Sequence, residues 1–363
     1  MTWLISILSI LALIAIAGLI FINLPQFGKA PSGERLERIK KSPNYRGGQF
    51  RNREVTPQMT TDKGFFASWW DFLFKKDPDL TPSEPLEMEK ADLTKIPSPT
   101  ITWFGHSSYL LNVGDKRILV DPVFGSASPV GFMFKPFKGT TKYQAADMPP
   151  IDYLVITHDH YDHLEYETVK ALKDRVGKVI CPLGVGEHFE HWGYPADKII
   201  ELDWDESAML GDGFKVNCHT ARHFSGRSLS RNNTLWATYL LETPEGNIFI
   251  GGDSGYGRHF KQIGEKYKGE IDLAILENGQ YNKDWRYIHT MPAQLDSAIR
   301  DLGARHNITV HHSKYALSRH PWDEPLKNEL QLPSSDSIII LELGHPTSLR
   351  NCSGIVSSTI RRE

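Results

Sequence analysis

The sequence predicts an α/β (α+β) fold, two β-sheets packed together with helices outside, preceded by an N-terminal transmembrane helix. Three observations predict it. From Trp3 to Ile22 every residue is apolar or small and uncharged, about the 20 residues that a helix rising 1.5 Å each needs to cross a bilayer core. From residue 99 the texture changes to short β-rich runs bounded by Gly, Asp and Pro, first in meanders and then interleaved with helical stretches, in two successive halves. No linker divides residues 99–345.

The apolar run reads as an anchor over 1–25. A cleaved signal peptide is the duller reading, but no Lys or Arg precedes the run and no small-x-small cleavage site follows before Pro25. Lys29, Arg35, Arg38, Lys40, Lys41, Arg46, Arg51 and Arg53 follow it, so the body is expected on the cytoplasmic side of the membrane. Against Glu34, Glu37 and Glu54 these eight give segment 26–55 a charge of about +5, and the chain total of −3 leaves about −8 for the remainder. The strip suits anionic lipid headgroups; the acidic body disfavours nucleic acid as a partner. Three cysteines, Cys181, Cys218 and Cys352, ask for no oxidising compartment.

Segment 26–98, rich in Pro, charge and turn formers, is expected to be an extended juxtamembrane arm. Within it Phe65, Phe66, Trp69, Trp70 and Leu73 recur at near-helical spacing before Lys75 and Lys76, which suits core docking or an interfacial helix. Strands are expected at Thr100–Phe104, Ser108–Val113, Arg117–Val120, Tyr153–Thr157, Lys178–Cys181 and Phe214–His219. Further strands follow at Leu235–Glu242, Asn247–Gly251, Leu273–Glu277, Ile308–His311 and Ser337–Leu341, with helices at about 165–174, 257–267, 292–302 and 323–330. Residues 346–363 read as a C-terminal tail.

Directly after the strand Tyr153–Thr157 stands His158-Asp159-His160-Tyr161-Asp162-His163. Three imidazoles and a carboxylate this close leave little room for a packed core network. Nitrogen and oxygen donors of this kind are what borderline cations such as Zn²⁺ choose, and catalytic sites keep a position open for water.

The spacing His-x-His-x-Asp-His resembles the defining motif of the metallo-β-lactamase superfamily. The resemblance implies a four-layer αββα sandwich and two divalent metal ions, expected to be Zn²⁺. It also implies three downstream ligands, each after a strand. His223 follows Phe214–His219, Asp253 follows Asn247–Gly251, and His311 ends Ile308–His311. By the family pattern His158, His160 and His223 hold one metal, Asp162, His163 and His311 the other, and Asp253 bridges them. His219 competes with His223, and His312 with His311.

Trp103-Phe104-Gly105-His106-Ser107-Ser108, Leu119-Val120-Asp121-Pro122-Val123-Phe124 and Asp272-Leu273-Ala274-Ile275 narrow the resemblance. They look like the N-acyl phosphatidylethanolamine-hydrolysing phospholipase D branch and its bacterial relatives, over about 99–320. That branch places a His near the scissile phosphate, and His289 in Tyr287-Ile288-His289-Thr290-Met291-Pro292 occupies the matching place. Glu277-Asn278-Gly279-Gln280-Tyr281 departs from the branch by its acidity. Asp162, Asp253 and His289 are therefore the expected catalytic residues, and His106 and Asp121 are candidates to orient the ligands. The long segment Phe124 to Lys142 is a candidate substrate loop.

These features together imply a membrane-anchored phosphodiesterase acting on phospholipids through metal-activated water. Lactone hydrolysis is the alternative within the fold, and a non-catalytic binding module would be expected to have lost ligands.

Overall fold

A strand rich in apolar residues on both faces must be covered on both, and this requirement organises the structure. The computed structural model describes residues 2–62, 64, 70 and 77–350. The first sheet has the order β17-β3-β4-β5-β6-β7-β8: β3 (Thr100–Trp103), β4 (Tyr109–Val113), β5 (Lys116–Val120), β6 (Ile151–Val155), β7 (Val176–Pro182), β8 (Ile199–Leu202) and, at one edge, β17 (Pro346–Ser348). The second has the order β16-β15-β14-β13-β10-β9: β9 (Ser207–Gly211), β10 (Phe214–His219), β13 (Thr238–Thr243), β14 (Gly246–Ile250), β15 (Ile271–Glu277) and β16 (His306–Val310). Each sheet is antiparallel on one side and parallel on the other, the parallel pairs being β5–β6–β7–β8 and β14–β15–β16.

Side chains alternate across each strand. Tyr109, Leu111 and Val113 of β4 and Leu273 and Ile275 of β15 enter the core between the sheets. Leu110 packs outward with Val169 and Leu172 of α3 (Tyr166–Leu172) and Phe189 of α4 (Gly186–His191). Ala274 and Leu276 pack outward against Phe260 and Ile263 of α5 (Arg258–Lys266) and Leu295 and Ile299 of α6 (Pro292–Leu302). The result is the four-layer αββα sandwich. α6 has the punctuation its sequence announces, Pro292 in its first turn and Gly303 left-handed (φ 67°) at its end.

The expected strand Ser337–Leu341 is not formed; only Ile338 bridges to Asn307. The edge is taken instead by β17, paired with β3, so the domain continues past its expected end at 345. The stripe at Phe65–Leu73 lies outside the described residues, apart from Trp70.

α1 (Thr2–Ile22) stands clear of the body. The described residues that follow it, up to 62, pack on the body. α2 (Gly33–Lys41) lies on the sandwich: the Arg35 guanidinium meets Glu187 (2.8 Å), Glu190 (2.6 Å) and Glu201 (2.6 Å). Lys29 pairs with Glu187, Arg38 with Glu206 and Arg53 with Asp205. Cations expected to face headgroups therefore neutralise the acidic body. Ile39 and Phe50 are fully buried in the core between the sheets, Phe50 from the β1–β2 ribbon (Tyr45–Arg46, Gln49–Phe50). Asn44 donates to Asp203 (2.9 Å).

Phe50→Ala should accordingly cost about 3–5 kcal/mol, as for other buried Phe truncations; chemical denaturation measures it, and a loss under 1 kcal/mol would mean that the segment is dispensable. A second test concerns α7 (Glu324–Glu329). Glu329 is buried against the Thr309 hydroxyl and the Asn278 amide, and burial pushes its carboxyl up to about 7. The native state then binds the extra proton between about pH 4.5 and 7, so this group's contribution to stability falls as pH rises through that window. Glu329→Gln should be more stable than the parent at pH 8, by at most roughly 3 kcal/mol, with the advantage gone below pH 5. Thermal unfolding at both pH values checks this, and a pH-independent difference would refute it.

Candidate metal centre

The interior of the sandwich is largely apolar, and its histidines and carboxylates gather where strands end. His106 follows β3, Asp121 follows β5, His158 to His163 follow β6, His223 follows β10, Asp253 follows β14, Glu277 ends β15 and His311 follows β16. All meet at one edge of the two sheets.

His158, His160 and His223 form one group: His160 Nδ1 lies 2.9 Å from His158 Nε2 and 3.2 Å from His223 Nε2. Asp162, His163 and His311 form a second, together with His106. Asp253 stands between them. Its Oδ2 is 3.9 Å from His158 Nε2 and 3.7 Å from His223 Nε2, whereas its Oδ1 is 3.1 Å from His163 Nε2 and 3.2 Å from His311 Nδ1. His163 Nε2 and Asp253 Oδ1 are buried, face each other at 3.1 Å, and make no well-directed hydrogen bond. Lone pairs left bare in this way, on nitrogen and oxygen donors converging from two sheets, fit divalent metal ions.

The surrounding groups fix which nitrogen faces inward. His163 Nδ1 meets Asp121 Oδ2 (2.7 Å), and Asp121 also accepts from Thr157 N (2.8 Å) and its hydroxyl (2.6 Å). His223 Nδ1 donates to Ile288 O (2.7 Å), which leaves Nε2 free for the centre. His106 Nε2 holds Asp162 Oδ2 at 2.9 Å. Burial alone would raise the Asp253 carboxyl, but His163 and His311 hold it well below the usual carboxylate range. Three of these residues, His106 (φ 53°), Asp121 (φ 41°) and His311 (φ 73°), take left-handed backbone, at a cost of order 1–3 kcal/mol each. Gly252, beside Asp253, has φ 57°, and a Cβ there would come within 2.7 Å of Thr157.

The two alternatives lie outside the cluster. His219 turns away to the Tyr267 hydroxyl (3.0 Å), and His312 packs on Trp103 and bonds Ser313; His223 and His311 are the ones in the cluster. His289 is there too, its ring stacked on His311. Its Nδ1 is 2.7 Å from Glu277 Oε2 and 3.9 Å from Asp253 Oδ2. Burial opposes charge on His289, but the Glu277 carboxylate more than offsets it and raises its pKa.

Sequence reasoning missed Glu277 as a partner of His289, although its acidity at a strand end had stood out. Its other oxygen accepts from Ser254 N (3.1 Å) and Thr290 N (2.6 Å), tying the Asp253 loop to the His289 loop. It also missed Ser107, whose hydroxyl meets His311 Nδ1 (2.8 Å), and Asn52. The Asn52 amide donates to His223 O (2.7 Å) and accepts from His223 N (3.2 Å). No sequence signal links these two, 171 residues apart. In the candidate substrate loop Phe124 and Phe137 are buried in the domain, whereas Phe132 is exposed.

Residues 116–312 match the family model described as the β-lactamase superfamily domain. An uncharacterised protein of Mycobacterium tuberculosis is 36% identical over 308 residues, covering 83% of this chain and 82% of its own length. A Caenorhabditis elegans N-acyl-phosphatidylethanolamine-hydrolyzing phospholipase D is 30% identical over 233 residues, 60% of this chain and 64% of that one. Among solved structures, a metallo hydrolase from the archaeon Ignicoccus hospitalis superposes with a TM-score of 0.54 at 18% identity, covering 68% of this chain and 97% of that one, a likeness of fold alone. With the αββα layers and the His/Asp cluster at the strand ends, these matches show that the chain belongs to the β-lactamase superfamily, as a metal-dependent hydrolase of the metallo-β-lactamase fold.

Proposed function

We propose that this chain is a membrane-anchored, binuclear phosphodiesterase that hydrolyses phospholipids, with N-acyl phosphatidylethanolamines as the leading substrate class. The observation that carries the binuclear reading is the division of Asp253: one oxygen faces His158 and His223, the other His163 and His311. His158, His160 and His223 would hold one Zn²⁺, Asp162, His163 and His311 the second, with Asp253 between. Bound there, the ions would supply Lewis acidity and a lowered water pKa.

The protein's own groups do the rest. Asp121 and Ile288 O hold His163 and His223 in the tautomer that offers Nε2. His106 keeps Asp162 turned into the site. His289, with Nδ1 on Glu277, presents Nε2 for a hydrogen bond to a phosphoryl oxygen or for a proton to the leaving alkoxide. The phospholipid substrate is supported by the C. elegans relative and by the length and composition of α1, which suit a membrane span.

Metal analysis of active, unchelated protein should give two ions per chain. Asp253→Asn should lower kcat by at least about 100-fold while the domain stays folded by circular dichroism, since it removes the bridging charge at nearly constant volume. One ion per chain, or an active Asp253→Asn protein, would sink the binuclear assignment. For the substrate, full-length protein with both metals should release phosphatidic acid from vesicles containing N-acyl phosphatidylethanolamine. Turnover of lactones with none of the phospholipid would replace the phosphodiesterase reading with a lactonase.

A further inference from the structure

The residues that follow α1 are fastened to the domain beside the metal motif. The Phe21 ring lies 5.1 Å from Phe27, and Phe27 lies 6.3 Å from Tyr161, edge to face in both cases. Tyr161 sits between His160 and Asp162. The chain between is bonded to the same neighbourhood. Trp192 Nε1 donates to Pro25 O (2.8 Å), Arg227 to Gln26 O (2.7 Å), and Lys29 N to His188 Nδ1 (3.0 Å), whose Nε2 reaches Asp159 (3.3 Å). His160 and Asp162 are also the members of the cluster that are partly exposed; His158, His163, His223, Asp253 and His311 are buried. The partly exposed members of the cluster thus flank Tyr161, the residue that Phe27 meets.

A small hairpin, β11 (Gly226–Arg227) and β12 (Ser230–Arg231), stands on this same segment. Its Arg227 is buried, with the guanidinium 4.2 Å over Tyr161 and hydrogen bonds to Asp159 O and Leu164 O (2.7 Å each). Ser228 N donates to the Tyr161 hydroxyl (3.1 Å). At the tip, between Ser228 and Ser230, Leu229 is 82% exposed. A lone exposed Leu needs no explanation, but this one is held out by a ribbon braced on a buried arginine, beside both the opening and the anchor. Arg231 lies over the Phe224 ring, which is 4.4 Å from His160.

We propose that the β11–β12 hairpin is a lipid-contact element. Leu229 enters the headgroup–acyl boundary of the leaflet in which α1 ends, and the hairpin thereby holds the His160–Asp162 opening at the level of the lipid phosphates. This rests on the membrane anchor and the phospholipid substrate proposed above. The bilayer is the occupant the observations favour because the surface is continuous with α1, which is apolar on all sides and offers a folded partner no polar stripe to match. An apolar tip between serines with cations nearby also suits the interface.

The test uses the full chain reconstituted in phosphatidylcholine vesicles containing N-acyl phosphatidylethanolamine. Leu229→Cys, in a Cys352→Ser background, is labelled with an environment-sensitive fluorophore. Met209→Cys is the control, since Met209 is exposed on β9 opposite Lys215, at the end of β10 remote from the site. The Leu229 probe should be quenched by lipid spin-labelled near the headgroup, and the Met209 probe should not. Leu229→Ser should raise the apparent KM for vesicle phospholipid about tenfold, the equivalent of losing part of one buried Leu. An unquenched Leu229 probe on chain that floats with the vesicles would overturn the proposal. So would chain that fails to float, or a probe shielded in detergent but blind to spin-labelled lipid, which would indicate a second copy. Quenching without any phospholipid turnover by the parent protein would leave the lipid contact standing and remove the substrate reading instead.

Discussion

A carboxylate buried in protein costs several kcal/mol unless its charge is compensated, and Asp253 is such a group. Around it stand imidazoles, with no Lys or Arg among its ion-pair partners in the described residues. Imidazoles compensate a carboxylate fully only when protonated, and burial opposes that at His158, His160, His223 and His311, whereas nearby carboxylates favour it at His163 and His289. A metal centre resolves that conflict by adding positive charge where the lone pairs already point. The rest of the architecture serves this one condition: donors from β6, β10, β14 and β16 must reach a common point, which requires two sheets whose strands end on the same edge.

The cost of reaching that point is visible in the backbone. His106, Asp121 and His311 all sit at positive φ, a conformation that side chains with a Cβ avoid. The sandwich makes this tolerable because each strained residue is held by more than one contact. His106 N donates to His312 O while His311 N donates to His106 O, so the β3 and β16 ends fasten each other. Lys314, buried and bonded to Phe104 O and Val123 O, ties the loops bearing His106 and Asp121 to the one that follows His311.

Much of this was legible in the sequence, for reasons that can be stated. The His158–His163 cluster is contiguous, so its density alone betrays it. The strands β4, β6, β14 and β15 are largely buried on both faces, and the short apolar runs Tyr109–Leu111, Tyr153–Val155, Ile248–Ile250 and Leu273–Leu276 mark them. The segment 26–62 was misread because charge pattern alone does not distinguish Arg35 facing a lipid phosphate from Arg35 facing Glu187, Glu190 and Glu201. Nor does a lone Asn52 reveal that it will read the backbone of His223. Ile338–Ile340 has strand composition but only a single bridge to β16, whereas Pro346–Ser348 has weak strand composition and a ready partner in β3. Pairing opportunity decided both, and it is set by tertiary structure.

The fastening of the N-terminal segment also bears on the order in which the protein can be built. Arg35 meets Glu201 across 166 residues and Asn52 meets His223 across 171. These are contacts of very high sequence separation, and closing such loops is the slow part of folding. During synthesis, at about 5–20 residues per second, the segment that braces His223 leaves the ribosome well before its partner and has nothing to grip for many seconds. A segment made early thus finds its place late, and the His158–His160–His223 group cannot acquire its full support until Asn52 and His223, 171 residues apart, have met.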